Sequence, residues 1–425
     1  MASGCPHHDD GSCPSCPLLS LPYPQQLAVK ADQALARLTA VASDFVWLPP
    51  IPSPQFGIRN VTKMVVSGTV DSPVLGLPPS FSDTPALGIG IDLTDCPLYL
   101  PTITAAFPAL KQFITTAQLV PYDLTPAKGR TKPKAAATRG ELKNVIITAS
   151  PDCELMIQFV LRSRADEARI RSRLPSLLAA LPNLKVVSLN IHPEHKAVVS
   201  GLQDIILTDQ QSLPFRIADF TLYVGPGCFF QTNTLMATAL YQLARKWLAG
   251  GELTDGNLAG GDLAGGDLAE NKAGSHQEIW DLFCGIGGFS LALANPHRQV
   301  IGVEISAASI ANALLAKAHY KQGLSESSTA PTTLDFIATD AYQFAESRNP
   351  PEVIVVNPPR RGLGISLANW LDNSKVPTIL YSSCNPETLS TDLRNMPNYQ
   401  LVQAQALDMF PGSTHLEVLT LLTRL

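Results

Sequence analysis

The chain has 425 residues, 45% of them apolar and 16% charged. That balance excludes a disordered protein and suits two domains with substantial cores. The formal net charge is −5, but residues 111–196 carry fourteen Lys and Arg against seven Asp and Glu, leaving −12 on the rest.

No apolar run reaches the roughly 18–20 residues that cross a bilayer, and the start holds cysteines, histidines and aspartates, not a signal segment. The expectation is a cytoplasmic protein with no membrane partner, whose eight cysteines are reduced, metal-bound or catalytic.

In chain order, residues 1–20 read as irregular and cysteine-rich, followed by a helix over about 25–42. Residues 56–100 read as short strands broken by Gly and Pro, with 63–70 alternating before a turn at Asp71-Ser72-Pro73. Strands are expected at 145–148, 155–161 and 185–191, and a helix with Arg on its polar face at 165–181. The period then changes. A helix at 234–248 precedes strands at 279–282, 300–303, 336–338, 353–356, 379–382 and 418–422, with helices from 289 and over 307–320. Strands alternating with helices predict a parallel, doubly wound sheet. The division expected is 1–218 and 219–425.

Four pentads with Leu253, Leu258, Leu263 and Leu268 occupy 250–269. They are too few to stack as a coil and read as a flexible insertion over about 250–272; a shorter polar insertion falls at 325–333. Two basic clusters, Lys128/Arg130/Lys132/Lys134/Arg139/Lys143 and Arg162/Arg164/Arg169/Arg171/Arg173, suit either phosphates or a solvated surface.

The second half carries the chemistry. Strand 279–282 runs into Gly285-Ile286-Gly287-Gly288, a turn in which the backbone can approach a nucleotide-like cofactor closely. About 20 residues on, the next strand ends in Glu304, placed to accept from both ribose hydroxyls. S-adenosylmethionine (AdoMet) fits better than NAD, whose Gly-x-Gly-x-x-Gly pattern is incomplete here. Asn357-Pro358-Pro359-Arg360 follows strand 353–356, and its prolines pre-aim the Asn amide at a ligand. Alone that turn also suits enzymes that methylate exocyclic nitrogens.

Cys384, in Ser383-Cys384-Asn385-Pro386 at the end of another strand, moves the reading to carbon. Carbon 5 of a pyrimidine is a poor nucleophile until a thiolate adds at carbon 6. A base must then remove the C5 proton so that the thiolate can leave. Glu417 in His415-Leu416-Glu417 is the favoured base, with His415 in support. Cys284, the rival thiol, reads as a packed residue. Gln231, at a helix start, suits a cofactor contact and an ordinary helix residue equally.

Cys5, Cys13 and Cys16, with Cys96 as a fourth, suit either a [4Fe–4S] cluster or tetrahedral zinc. Cys153 and Cys228 have no partner pattern and read as packed.

Together these residues resemble the bacterial RNA (uracil-5-)-methyltransferase family, in particular a short 23S rRNA type with an iron–sulfur cluster and no TRAM domain. The similarity covers nearly the whole chain, adding Arg59-Asn60, 63–68, Asp95-Cys96-Pro97-Leu98-Tyr99 and 229–233. It implies an α/β protein: a C-terminal class I, Rossmann-like AdoMet methyltransferase domain behind an N-terminal α+β RNA-binding domain.

The resemblance further implies a [4Fe–4S] cluster on Cys5, Cys13, Cys16 and Cys96, and AdoMet contacts from Gln231, Phe283, Glu304 and Asn357. Cys384 would be the nucleophile and Glu417 the base. The implied partner is 23S rRNA, at uridine 747 in family numbering. No protein partner is implied, and nothing in the sequence argues strongly against a monomer. The rival readings are a uridine methyltransferase acting on tRNA or another RNA, and a non-catalytic rRNA-binding assembly factor. Val61, where the family usually has a basic residue, and the two insertions are departures from the pattern.

Overall fold

The computed structural model describes residues 4–81, 89–122, 140–194, 200–201, 203–249, 277–323 and 333–425. Lys128, Arg130, Lys132, Lys134, Arg139 and the 250–272 repeats lie outside them, as does all but the last residue of the 325–333 insertion.

Chain order begins with α1 (Pro6–Asp9), α2 (Tyr23–Thr39), β1 (Val46–Ile51), β2 (Val61–Gly68), β3 (Pro73–Leu77) and β4 (Ile91–Asp92). Next come α3 (Pro101–Thr116), β5 (Leu142–Ala149), β6 (Leu155–Leu161), α4 (Glu167–Ala180), β7 (Leu184–Ile191), β8 (Gln203–Ile206), β9 (Leu213–Ile217) and β10 (Phe220–Val224). The remainder alternates: α5 (Thr234–Leu248), β11 (Gln277–Leu282), α6 (Gly288–Leu293), β12 (Arg298–Glu304), α7 (Ala307–Gly323), β13 (Thr333–Ala338) and α8 (Ala341–Glu346). It closes with β14 (Val353–Val356), α9 (Ile365–Ser374), β15 (Thr378–Ser383), α10 (Pro386–Arg394), β16 (Tyr399–Leu407) and β17 (Glu417–Arg424).

Two compact units result. One comprises Met1–Cys16, Phe56–Phe215 and Gly225–Gly227; the other Pro17–Gln55, Arg216–Val224 and Cys228–Leu425. The units differ from the division expected at 218 and 219: Pro17–Gln55 and residues 216–218 group with the C-terminal unit, and Gly225–Gly227 with the first. For Pro17–Gln55 the cause is burial. Ala34 and Leu38 of α2 sit in the same apolar core as Trp280, Ile354 and Tyr381, and β1 extends the C-terminal sheet by pairing parallel with β16.

In the first unit, seven described strands form a sheet in the order β4-β3-β2-β5-β6-β7-β8. Its core packs Ile103, Phe107 and Leu110 of α3 and Ile170 and Leu174 of α4 against Val145, Ile157 and Leu189 of the strands. The second basic cluster, on α4 and the segment leading into it, is largely compensated within the unit: Arg162 pairs with Glu141, Arg164 and Arg171 with Glu167, and Arg169 with Asp166.

In the second unit, eight described strands run β1-β16-β17-β15-β14-β11-β12-β13. Strands β11 to β15 are mutually parallel as expected, but β17 is antiparallel to both β15 and β16. The sheet is thus mixed, and the reversal has a consequence. The C-terminal ends of the parallel strands and the N-terminal end of β17 lie at one edge, with Ser383 opposite Val418. Strand order diverges at β11, between β12 and β14, the kind of switch point where open α/β sheets bind ligands.

Candidate active site

Strand β11 ends in the expected glycine turn. Phe283 has φ +65°, Gly285 +55° and Gly287 +89°, so the chain leaves the strand through left-handed backbone. For a bulky Phe this is uncommon and costs on the order of 1–3 kcal/mol. At Gly288 a Cβ would lie 2.2 Å from the Tyr241 phenol oxygen, so only glycine fits where α6 begins.

Glu304, at the end of β12, buttresses the turn: its carboxylate accepts from Gly285 N at 3.3 Å and Ser306 N at 2.9 Å. The backbone N–H of Asn357 donates to Leu282 O at 3.4 Å, which ties the Pro-Pro turn to the end of β11. Gln231 is buried just ahead of Asn233, whose side chain caps α5 by accepting from Met236 N.

Beneath the glycine turn lies a residue the sequence reading passed over. Asp281 is wholly buried, and one carboxylate oxygen accepts from Ser290 Oγ at 2.5 Å. The other oxygen, Oδ1, has no partner. Burial pushes this carboxyl up to about 7, with Glu304 nearby adding to the rise. A wholly buried carboxylate with one unsatisfied oxygen is costly to ionise, in line with the raised value. The only signal in the sequence was an acidic residue inside an otherwise apolar strand end.

Cys384 lies between β15 and α10, half-buried. Asn385 caps α10 by accepting from Glu387 N and donates from its amide to Arg360 O at 3.2 Å. Thr388 Oγ1 donates to the same carbonyl at 3.3 Å. The cysteine loop and the Asn-Pro-Pro-Arg turn are thereby fixed to each other. Burial and the Glu417 charge raise the Cys384 thiol, while the Arg360 guanidinium opposes them. Arg360 is thus a second residue for which the sequence suggested no role.

Glu417 opens β17 on the neighbouring strand and is 1% exposed. Ser382 Oγ donates to its Oε1 at 2.5 Å, and burial pushes the carboxyl up to about 7. A group that titrates near neutrality and senses the thiol across a strand pair has the properties of a general base. His415 is held below its ordinary range by burial and by the charges of Arg360 and Lys30. Cys284 is buried, and burial holds its thiol well above the ordinary range, which suits packing rather than nucleophilic attack.

The first unit holds the N-terminal cysteines. Cys5 and Cys16 are each 8% exposed, while Cys13 and Cys96 pack against the unit's core. His7 Nε2 lies 2.6 Å from an oxygen of Asp95, joining the N-terminal segment to the residue before Cys96. The thiols influence one another: burial raises Cys16, and Cys13 and Cys5 add to it. Burial likewise takes Cys96 to about 11, opposed by the Leu98 N–H and Arg59. None of the four is in a disulfide, and among the described residues no group of three or more His, Cys, Asp or Glu side chains forms a ready metal-ligand set. Of the cysteines expected to be packed, Cys228 is half-buried with Asn312 Nδ2 at 3.4 Å from its sulfur. Cys153 is exposed instead, because it sits at φ +62° in the tight turn between β5 and β6.

A glycine-rich turn after β11, an acidic residue ending β12 and the Asn-Pro-Pro-Arg turn after β14, all at one edge of a mostly parallel sheet, define the class of an AdoMet-type methyltransferase fold. The profile of the tRNA (Uracil-5-)-methyltransferase family matches residues 267–323 and 330–425. The chain is 39% identical over 426 residues to the 23S rRNA (uracil(747)-C(5))-methyltransferase RlmC of Escherichia coli O157:H7 (strain EC4115 / EHEC), covering 99% of this chain and 100% of that one. It is 40% identical to the RlmC of Escherichia coli (strain SMS-3-5 / SECEC) over 99% of each. The fold is similar to that of the Pyrococcus abyssi tRNA (uracil-54, C5)-methyltransferase crystallised with S-adenosyl-L-homocysteine, with TM-score 0.68 and 21% identity over 97% of this chain and 85% of that one. The chain belongs to the RNA (uracil-5-)-methyltransferase family. Among the described residues no helix is long and apolar enough to cross a membrane.

Proposed function

We propose that the protein transfers a methyl group from AdoMet to carbon 5 of a uridine in 23S rRNA, uridine 747 in family numbering. The observation that carries this reading is the pair of Cys384, just past the end of β15, and buried Glu417, which opens the neighbouring strand β17 of a methyltransferase sheet. The full-length similarity to enzymes named for that nucleotide supports the address. An rRNA substrate supports a cytoplasmic location.

AdoMet supplies an electrophilic methyl group. Gln231, Phe283, Glu304 and Asn357 would hold it, with Glu304 toward the ribose. The target base leaves its stack to reach the site. Cys384, as thiolate, adds to carbon 6, and electron density moves to carbon 5. Arg360 favours the thiolate. Once carbon 5 is methylated, Glu417 takes its proton, the C5–C6 double bond re-forms, and the sulfur leaves.

Cys5, Cys13, Cys16 and Cys96 would hold a [4Fe–4S] cluster in the first unit. The mutual influence of the thiols, the Leu98 N–H directed at Cys96 and the nearby Arg59 suit an anionic sulfur-rich group. The cluster would fix the N-terminal segment to the Cys96 loop. Metal and sulfide analysis of anaerobically purified protein decides between about four irons per chain and one zinc.

The reaction is tested with rRNA carrying 5-fluorouridine at the target. Fluorine cannot leave as a cation, so turnover stops at a stable Cys384–C6 adduct that survives denaturation. Methylation of ordinary rRNA without any such adduct would refute the thiol mechanism.

A further inference from the structure

Helix α2 carries a polar face at its N-terminal half: half-buried Tyr23 and buried Gln26 and Lys30 recur at helical spacing. Lys30 Nζ is 2.5 Å from Asp408 Oδ1, and both side chains are fully buried. Asp408 directly follows β16 and Glu417 opens β17; residues 408–416 are therefore the connection that delivers Glu417 to the site edge. Lys30 also donates to Phe410 O at 3.3 Å and His415 O at 3.5 Å, so a single ammonium binds the start, the middle and the end of this connection. One turn earlier, Gln26 Oε1 accepts from Gly412 N at 3.0 Å.

A buried ion pair contributes little to stability compared with apolar residues of like volume, and it specifies geometry more than it adds energy. Here the geometry it specifies is that of the 408–416 connection. We propose that Lys30 and Asp408 are positioning residues for the reaction, holding the β16–β17 connection so that Glu417 meets the C5 proton of the adduct. The proposal rests on the reading of Glu417 as the base.

The chemistry provides a specific readout. When the base is absent or misplaced, the thiolate still adds and the methyl still transfers, but the C5 proton stays and the C6–S bond cannot break. Methylated covalent protein–RNA adduct then accumulates. A general loss of structure lowers adduct and product together.

The test compares Lys30→Met/Asp408→Leu, which removes both charges at near-constant volume, with wild type and Glu417→Gln. Full-length proteins are incubated with labelled AdoMet and 23S rRNA transcript, and adduct and released product are quantified with thermal stability and AdoMet affinity. The expected double variant keeps wild-type melting and AdoMet affinity within about threefold. Its turnover falls roughly 10- to 100-fold, as for a displacement of about 1 Å, and the methylated adduct rises toward the level of Glu417→Gln. Asp408→Asn, closer to isosteric, should show the same adduct in smaller amount. Wild-type turnover in the double variant, or adduct and product falling in parallel in both variants, would overturn the positioning role. If Glu417→Gln itself accumulates no adduct, the assignment of the base fails, and this proposal fails with it.

Discussion

Replacing Glu417 by Gln separates what this side chain does for the reaction from what it does to the fold. In the folded protein burial moves its carboxyl from the ordinary 4.5 to about 7. In the unfolded chain it titrates near the ordinary value, so between those pH values the folded state holds the extra proton and stability falls as pH rises. At about 1.4 kcal/mol per pH unit the full effect is about 3 kcal/mol, complete above pH 7 and absent below about 4.5. Gln keeps the shape, accepts from Ser382 Oγ as Glu417 does, and does not titrate. The variant should therefore be more stable than wild type at pH 8, by up to about 3 kcal/mol, and equal to it at pH 4.5. Turnover should meanwhile fall by about 10² to 10⁴, the usual worth of a positioned base. Urea denaturation at the two pH values, paired with a methyl-transfer assay, measures both. A stability difference that does not change with pH, or turnover within a few-fold of wild type, would refute the reasoning.

Cys384→Ala should abolish methyl transfer and leave AdoMet affinity within about twofold by calorimetry, since the thiol adds to the base and not to the cofactor. Ser382→Ala removes a donor that favours ionised Glu417; the apparent pKa of the rising limb of the pH–rate profile should move upward from about 7, by roughly one unit, as for the loss of a hydrogen bond to a charged group. Cys16→Ser or Cys96→Ser should lower bound iron by analysis of anaerobically purified protein, with retention of full iron content counting against the four-thiol site.

Much of the C-terminal unit was legible because its signals are local. Apolar runs such as 353–356 and 279–282 have no other reasonable use, and Gly287 and the Asn385-Pro386 pair mark turns that only a few residues can make. Strand β1 was illegible because Pro49 and Pro50 argue against a strand; the structure places it at a sheet edge, where missing N–H donors are tolerated. Helix α3 begins with Pro101 and contains Pro108, which disguised its apolar spacing. The membership of Pro17–Gln55 in the C-terminal unit depends on contacts hundreds of residues apart, such as Lys30 with Asp408. No periodicity reports those. The same holds at the site: Cys384 and Glu417 stood out by residue type and motif, whereas Arg360 and Ser382 acquire roles only through their neighbours.

The most direct test is position-resolved nucleoside mass spectrometry of RNA from cells lacking this gene, complemented with wild type or with Cys384→Ala. The account predicts that 5-methyluridine disappears from one site of 23S rRNA, that wild type restores it, and that Cys384→Ala does not. Unchanged 23S rRNA together with a loss in tRNA would contradict the substrate, and restoration by Cys384→Ala would contradict the mechanism.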